Sequence, residues 1–399
     1  MPYVRPVAAA PVNLTLSRDL VRALKRGHPW VFADALRRRP QAAPGSVAVL
    51  HDGRGREIAR GLYDPGTPLT FRACTTEPGE VPDDAWAERR FRRALALRRA
   101  VLGPETTGYR LFNGEGDGLP GLVCDVYGDT AVFRLDGEGP EAFWDAAGIA
   151  RWIAEELPVR RAYQRWRIRG GPEGGPVLGE APAGPVPFTE HGMRFTADVV
   201  RGQKTGFFLD MRENRRRVGG LAAGRSVLNL FGYTGGFSVA AGLGGARAVT
   251  TVDVAAPAVD AAREHWALNS LPASAHEALA ADAFDFLERA QADRRTWELV
   301  VCDPPSFASS KSAVPKALAA YRKLAAAAGA VVAPGGLLCA GSCSSHVDAI
   351  MFQQAVEGGL GRLRRGATLL EAHGQPADHP TPLAFPEFRY LKFLVLRVD

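Results

Sequence analysis

Val300-Val301-Cys302-Asp303-Pro304-Pro305-Ser306-Phe307 is an apolar run that stops on an acid followed by two prolines. Leu299-Val300-Val301 reads as a buried parallel strand. The prolines donate no backbone hydrogen bond and hold the chain extended or turned, so the strand ends there and leaves Asp303 at its carboxyl edge. In open α/β sheets that edge is where ligands bind.

On both sides of this run, from about residue 190 onward, a strand, a glycine-rich turn and a helix alternate, which predicts a parallel sheet covered on both faces. "SVLNLFGYTGGFSVAAGLGG" (226–245) supplies a first strand, a turn with Gly232, Gly235 and Gly236, and a helix-forming run. Glycine lets backbone approach a ligand closely at such a turn. Asp253, in "VTTVDVAA", follows at close to the roughly 20-residue interval at which a second-strand acid grips a ribose. The turn lacks GxGxxG, so a nucleoside cofactor without phosphates, such as S-adenosylmethionine, fits better than a dinucleotide; a generic α/β turn is the alternative. "HEALAADAFDFL" (276–287) brings a third strand ending at Asp282, which either recognises adenine or caps the next helix.

Asp303 can accept from a base amino group or a protonated ring nitrogen, with Pro304 and Pro305 shaping a rigid slot and Phe307 offering a stacking face; a plain turn is the blander reading. The fifth strand, "PGGLLCAGSCSSH" (334–346), is expected to open at Pro334-Gly335-Gly336 and to neighbour the strand of Asp303. Cys343 lies just past its end, near a Ser/His loop that favours a thiolate, whereas Cys302 and Cys339 fall inside apolar runs and belong to the core.

The 399 residues allow two or three domains, and 46% apolar with 23% charged residues is ordinary for a globular chain. No apolar run reaches the length of a membrane span, and "MPYVRPVAAAPVNL" lacks a signal-peptide pattern, so a cytoplasmic protein without a membrane partner is expected. Five scattered cysteines, none in CxxC, argue against a disulfide framework or a metal centre. The net charge of +6, carried mostly by Arg, suits RNA but also follows from GC-rich codon usage. Residues 14–75 read as a small β-rich module. In the helix "AWAERRFRRALALRRAVL" (85–102), Arg89, Arg90, Arg92, Arg93, Arg98 and Arg99 form either a solvated face or an RNA contact. An α+β segment then runs to about residue 172, and "GGPEGGPVLGEAPAGPVPF" (170–188) reads as a linker.

These motifs together resemble the bacterial 23S ribosomal RNA cytosine-C5 methyltransferases that carry an amino-terminal PUA domain. "GHPWVF" (27–32) is similar to the PUA segment, "NGEGDGLPGLVCDVYG" (113–128) to the central domain, and "HGMRF" with "KTGFFLDMREN" (204–214) to the lead into the catalytic domain. "LNLFGYTGGFSVAA", "VDVA", "DPPSF", "SCS", "ADHP" and "YLKF" follow in the family's order. The resemblance implies a PUA-like domain at 1–75, a central α+β domain at 76–189, and a seven-stranded Rossmann-like class I methyltransferase domain at 190–399.

It further implies that Asn229, Phe231, Gly232, Tyr233, Thr234, Gly235 and Asp253 hold the methionine and ribose parts of S-adenosylmethionine. Asp282 would hold the adenine, Asp210 and Arg212 would add polar contacts, Asp303 and the Pro304-Pro305 slot with Phe307 would hold the base, and Cys343 would be the nucleophile. The partner implied is 23S rRNA or its large-subunit precursor; the oligomeric state stays open, a homodimer included. Ser306 is closer to the guanine-modifying sister enzymes, which carry Asn where this chain has Ser-Cys-Ser, and Phe388 replaces a glycine usual after Pro-Glu. Guanine methylation and a non-catalytic RNA-binding assembly factor are therefore the alternatives.

Overall fold

A computed structural model describes residues 2–5, 10–166, 174–308 and 310–399. Its contacts divide the chain into two compact units, one within 1–190 joined by 196–209 and 377–388, the other comprising 191–195, 210–376 and 389–399. None of the described helices is long and apolar enough to cross a membrane.

The first unit contains two sheets of five described strands each. One is ordered Val12–Thr15, Ser46–His51, Glu57–Tyr63, Phe71–Thr75 and Trp30–Val31. The other runs Gly174–Leu178, Arg161–Arg165, Thr130–Leu135, Leu122–Tyr127 and Gly108–Asn113, and the helix Asp84–Val101 lays Trp86, Phe91 and Leu95 into its core. Residues 377–388 complete this unit. Arg98 Nη2 donates to the Asp378 carbonyl at 2.7 Å, Asn113 Nδ2 to the Pro380 carbonyl at 3.0 Å, and the Phe385 ring lies 4.5 Å from Trp30.

Two expectations are corrected here. Residues 170–173 of the expected linker lie outside the described residues, but Gly174–Leu178 is a strand, because pairing with the Arg161–Arg165 edge satisfies its backbone. Arg98 is not on a solvated or RNA-facing surface. It is 1% exposed and forks onto both Asp117 oxygens at 2.6 and 2.8 Å, since a buried guanidinium persists only when its donors are met. Arg89 and Arg92 are also paired, with Glu80 and Glu88.

The second unit is a sheet of seven described strands: β1 (Ser226–Leu230), β2 (Ala248–Asp253), β3 (His276–Ala280), β4 (Trp297–Cys302), β5 (Val332–Ser342), β6 (Ala367–His373) and β7 (Lys392–Val398). Its order is β3-β2-β1-β4-β5-β7-β6, with β7 antiparallel to β5 and to β6 and the other pairs parallel. The helices are α1 (Arg212–Leu221), α2 (Gly236–Leu243), α3 (Ala256–Leu268), α4 (Ala283–Ala292), α5 (Val314–Ala330) and α6 (Ala349–Gly361). Alternate strand residues serve opposite cores, as period two requires. Leu228, Val300 and Leu338 pack with Leu287, Leu324 and Phe352. Val227, Val301 and Cys339 pack with Val218, Phe237 and Trp266. β5 begins at Val332 rather than at Pro334, and the Pro-Gly-Gly stretch is a register shift within it, with Gly335 at φ +75°.

Candidate functional site

The turn after β1 is bent by backbone that L-residues rarely adopt. Phe231 and Tyr233 stand at φ +55° and +45° and Gly235 at +78°. Such strain persists where the surroundings fix it. Asp253, at the end of β2, supplies that fixing: Oδ2 accepts from Tyr233 N at 2.8 Å and Oδ1 from Ala255 N at 2.9 Å. Gly235 also sits on α3, where a Cβ would meet that of Ala262 at 2.8 Å.

Beneath the turn runs a polar chain absent from the sequence reading. Asn229 Nδ2 donates to Ser238 Oγ at 2.9 Å, which lies 2.6 Å from Thr251 Oγ1, itself 2.7 Å from His276 Nε2. Asn229, Ser238 and Thr251 are fully buried. With the hydroxyl protons oriented away from Asn229, the chain ends on His276 Nε2 as the acceptor, the tautomer with its proton on Nδ1. Burial, with the nearby Arg263 charge, pushes His276 down to about 4, in keeping with that role. Asn229 Oδ1 and Thr234 Oγ1 are buried without a hydrogen-bond partner among the described residues, two polar atoms that a ligand's groups can satisfy. A buried hydroxyl within the apolar strand "VTTVD" was the available signal.

At the next strand ends, Cys302 pairs with Ala340, so Asp303 stands beside Gly341. A Cβ on Gly341 would meet the Asp303 carboxylate, with Cγ at 3.1 Å and Cα at 3.3 Å. Cys343 lies two residues further along β5's direction. The two loops share an anchor, because the Ala308 carbonyl accepts from both Ser306 Oγ and Ser344 Oγ at 3.3 Å. Pro304 is buried and lines a small apolar cavity with Tyr321 and Phe352, whereas Pro305 is exposed and Phe307 packs on Tyr321 at 4.9 Å. Ser342 Oγ donates to Tyr321 Oη at 2.9 Å, and burial pushes that phenol up to about 12.

Of the five cysteines only Cys343 is partly exposed. Burial pushes the thiols of Cys74 and Cys339 up to about 12, and those of Cys124 and Cys302 upward as well. Asp282 caps α4 through Oδ1, accepting from Phe284 N at 2.8 Å and Asp285 N at 3.2 Å, and is exposed. Asp210 is buried and accepts from Tyr390 Oη at 2.7 Å; Arg212 is buried with its Nε 3.1 Å from Glu213 Oε1. Among the described residues no group of His, Cys, Asp and Glu is arranged to hold a metal ion.

Comparisons with known proteins bear on this edge. Residues 160–357 match the model of an S-adenosylmethionine-dependent methyltransferase family, and residues 14–76 that of a PUA-like domain. The chain is 39% identical to a ribosomal RNA large subunit methyltransferase of Deinococcus radiodurans, the alignment covering 99% of both chains. It is 36% identical to ribosomal RNA large subunit methyltransferase I of Shewanella denitrificans, covering 97% of this chain and 99% of the other. Among solved structures, SMU.776 complexed with SAH superposes with a TM-score of 0.84 at 25% identity, covering 97% of this chain and all of that one.

Proposed function

The chain belongs to the family of S-adenosylmethionine-dependent ribosomal RNA large subunit methyltransferases, and from that premise we propose that it forms 5-methylcytosine in 23S rRNA through a covalent bond between Cys343 and C6 of the base. The observation that carries the finer reading is the pairing of an accessible Cys343 with Asp303 at adjoining strand ends while the other four thiols are buried.

When bound, S-adenosylmethionine supplies an electrophilic methyl on its sulfonium. Asn229 Oδ1 and the Thr234 hydroxyl suit its methionine end, as buried polar atoms in need of partners. Asp253 has lone pairs left for the ribose after holding the turn, and the Asp282 Oδ2 that capping leaves unused is available to the adenine. Asp210 and Arg212 are the further polar candidates.

Cytosine C5 is a weak nucleophile until C6 carries a thiolate. Cys343 sulfur forms the bond to C6, the ring's displaced pair is taken at N3 with a proton from solvent, and Asp303 accepts from that N3–H and the amino group. The enamine so formed makes C5 nucleophilic toward the methyl group that bound S-adenosylmethionine would supply, with the electrons of the S–CH3 bond going to that sulfur. Loss of the C5 proton to solvent and cleavage of the C6–S bond, its electrons returning to Cys343, release the product along with the N3 proton. The base must leave any stack to enter, with Pro305 and Phe307 as the walls of its slot.

The test is RNA carrying 5-fluorocytosine at the target. The wild-type protein should be trapped covalently, since the methylated adduct has no C5 proton to lose, and Cys343→Ala should neither trap nor methylate while keeping cofactor affinity. Methylation by Cys343→Ala at near wild-type rate, with methylguanine in the digested nucleosides, would overturn the cytosine reading in favour of a guanine enzyme.

A further inference from the structure

Lys392 is a buried cation at the end of the ladder that carries Cys343. It opens β7 and pairs with Ser342, the last residue of β5, so the rung it forms is followed at once by Cys343. Lys392 is 5% exposed, and its Nζ donates to the Ser344 carbonyl and, at 2.8 Å, to that of Tyr390. An ammonium has three donors, and the third has no hydrogen-bond partner among the described residues. No carboxylate there lies within ion-pair distance of it.

A desolvated ammonium without a carboxylate is costly unless another negative group is near. Cys343 lies between Ser342, which pairs with Lys392, and Ser344, whose carbonyl Nζ holds, and the charges of Cys343 and of Asp348 both act to raise the Lys392 pKa. Asp348 is exposed and caps α6, accepting from Met351 N at 2.8 Å. Tyr321, bonded by Ser342 Oγ, remains a neutral phenol, and Asp303 at the neighbouring strand end carries a negative charge that opposes the thiolate rather than compensating the ammonium. Cys343 is therefore the group best placed to supply the compensating charge.

We propose that Lys392 is a positioning residue whose ammonium holds Cys343 as the thiolate and fixes it at the end of β5. The inference deepens the nucleophile reading and rests on it for its catalytic meaning. Burial pushes Lys392 down to about 8, with Cys343 and Asp348 drawing it back up, so the ammonium is still the major form at neutral pH. A purely structural lysine, tying the Ser344 and Tyr390 carbonyls together, would leave the ionisation of the thiol unchanged.

The experiment is alkylation of Cys343 by iodoacetamide as a function of pH, followed by mass spectrometry of its peptide in wild type, Lys392→Met and Lys392→Arg. Lys392→Met should react about tenfold more slowly at pH 7 and converge with wild type near pH 10, where both thiols are ionised. Lys392→Arg should keep the wild-type profile. Superimposable profiles for wild type and Lys392→Met would overturn the proposal. Should Lys392→Met fail to fold, the reciprocal measurement decides: Cys343→Ser should lower the Lys392 titration midpoint, read by NMR of labelled lysine, and an unmoved midpoint refutes the pairing. A shifted profile combined with an active Cys343→Ala would leave the pairing standing and sink the nucleophile reading instead.

Discussion

Gly341 and Asp303 share a space with no room for a methyl group. A Cβ on Gly341 would stand 3.1 Å from Asp303 Cγ and 3.3 Å from its Cα, closer still to the carboxylate oxygen. A residue without a side chain at 341 lets the strand end of β4 lean on β5. Gly341→Ala should push Asp303 off its position by a few tenths of an ångström and lower methyl transfer by about 10- to 100-fold, with folding stability reduced by about 1–3 kcal/mol. Single-turnover assays with rRNA and thermal melting measure the two effects, and an unimpaired rate would detach Asp303 from the chemistry.

Asp253 acts both on the turn and, under the proposed function, on the ribose. Asp253→Ala leaves Tyr233 N and Ala255 N without their acceptor and should weaken S-adenosylhomocysteine binding by about 1.5–3 kcal/mol. Calorimetry on the folded variant is the check, and wild-type affinity would dismiss the assignment.

His276 gives the acid sensitivity of the second unit a component whose sign is predictable. Its folded pKa, lowered by burial and then by Arg263 to about 4, lies below the ordinary 6.5. The unfolded chain therefore takes up the proton first as pH falls. The contribution is full above pH 6.5 and is lost as the pH drops toward 4. Protonation also removes the acceptor for Thr251 Oγ1, at the end of the chain that starts on Asn229. Melting temperatures should fall over this window in wild type and change less in His276→Gln, whose amide oxygen still accepts; parallel curves would refute the argument.

The parts of this edge that were legible in sequence are those written in consecutive residues. A glycine turn, an acid after an apolar strand and a cysteine past a strand end each follow from local backbone chemistry, and Asp253, Asp303 and Cys343 stand at strand ends accordingly. His276 and Lys392 were not legible, because their meaning comes from pairing with Thr251 and Ser342, far away in the chain. Arg98 was misread for a related reason: helical periodicity places it on a face, but only the distant Asp117 and Asp378 make that face an interior.

The route of the chain through residues 377–388 has a consequence for synthesis. The amino-terminal unit obtains its Asp378, Pro380 and Phe385 contacts from a segment near the carboxyl end, and the sheet of the other unit needs β7, the last strand, between β5 and β6. Neither unit can complete its native contacts until the residues beyond 376 have been made. A product truncated before residue 377 would therefore expose the interior around Arg98 and Trp30 to proteases and chaperones.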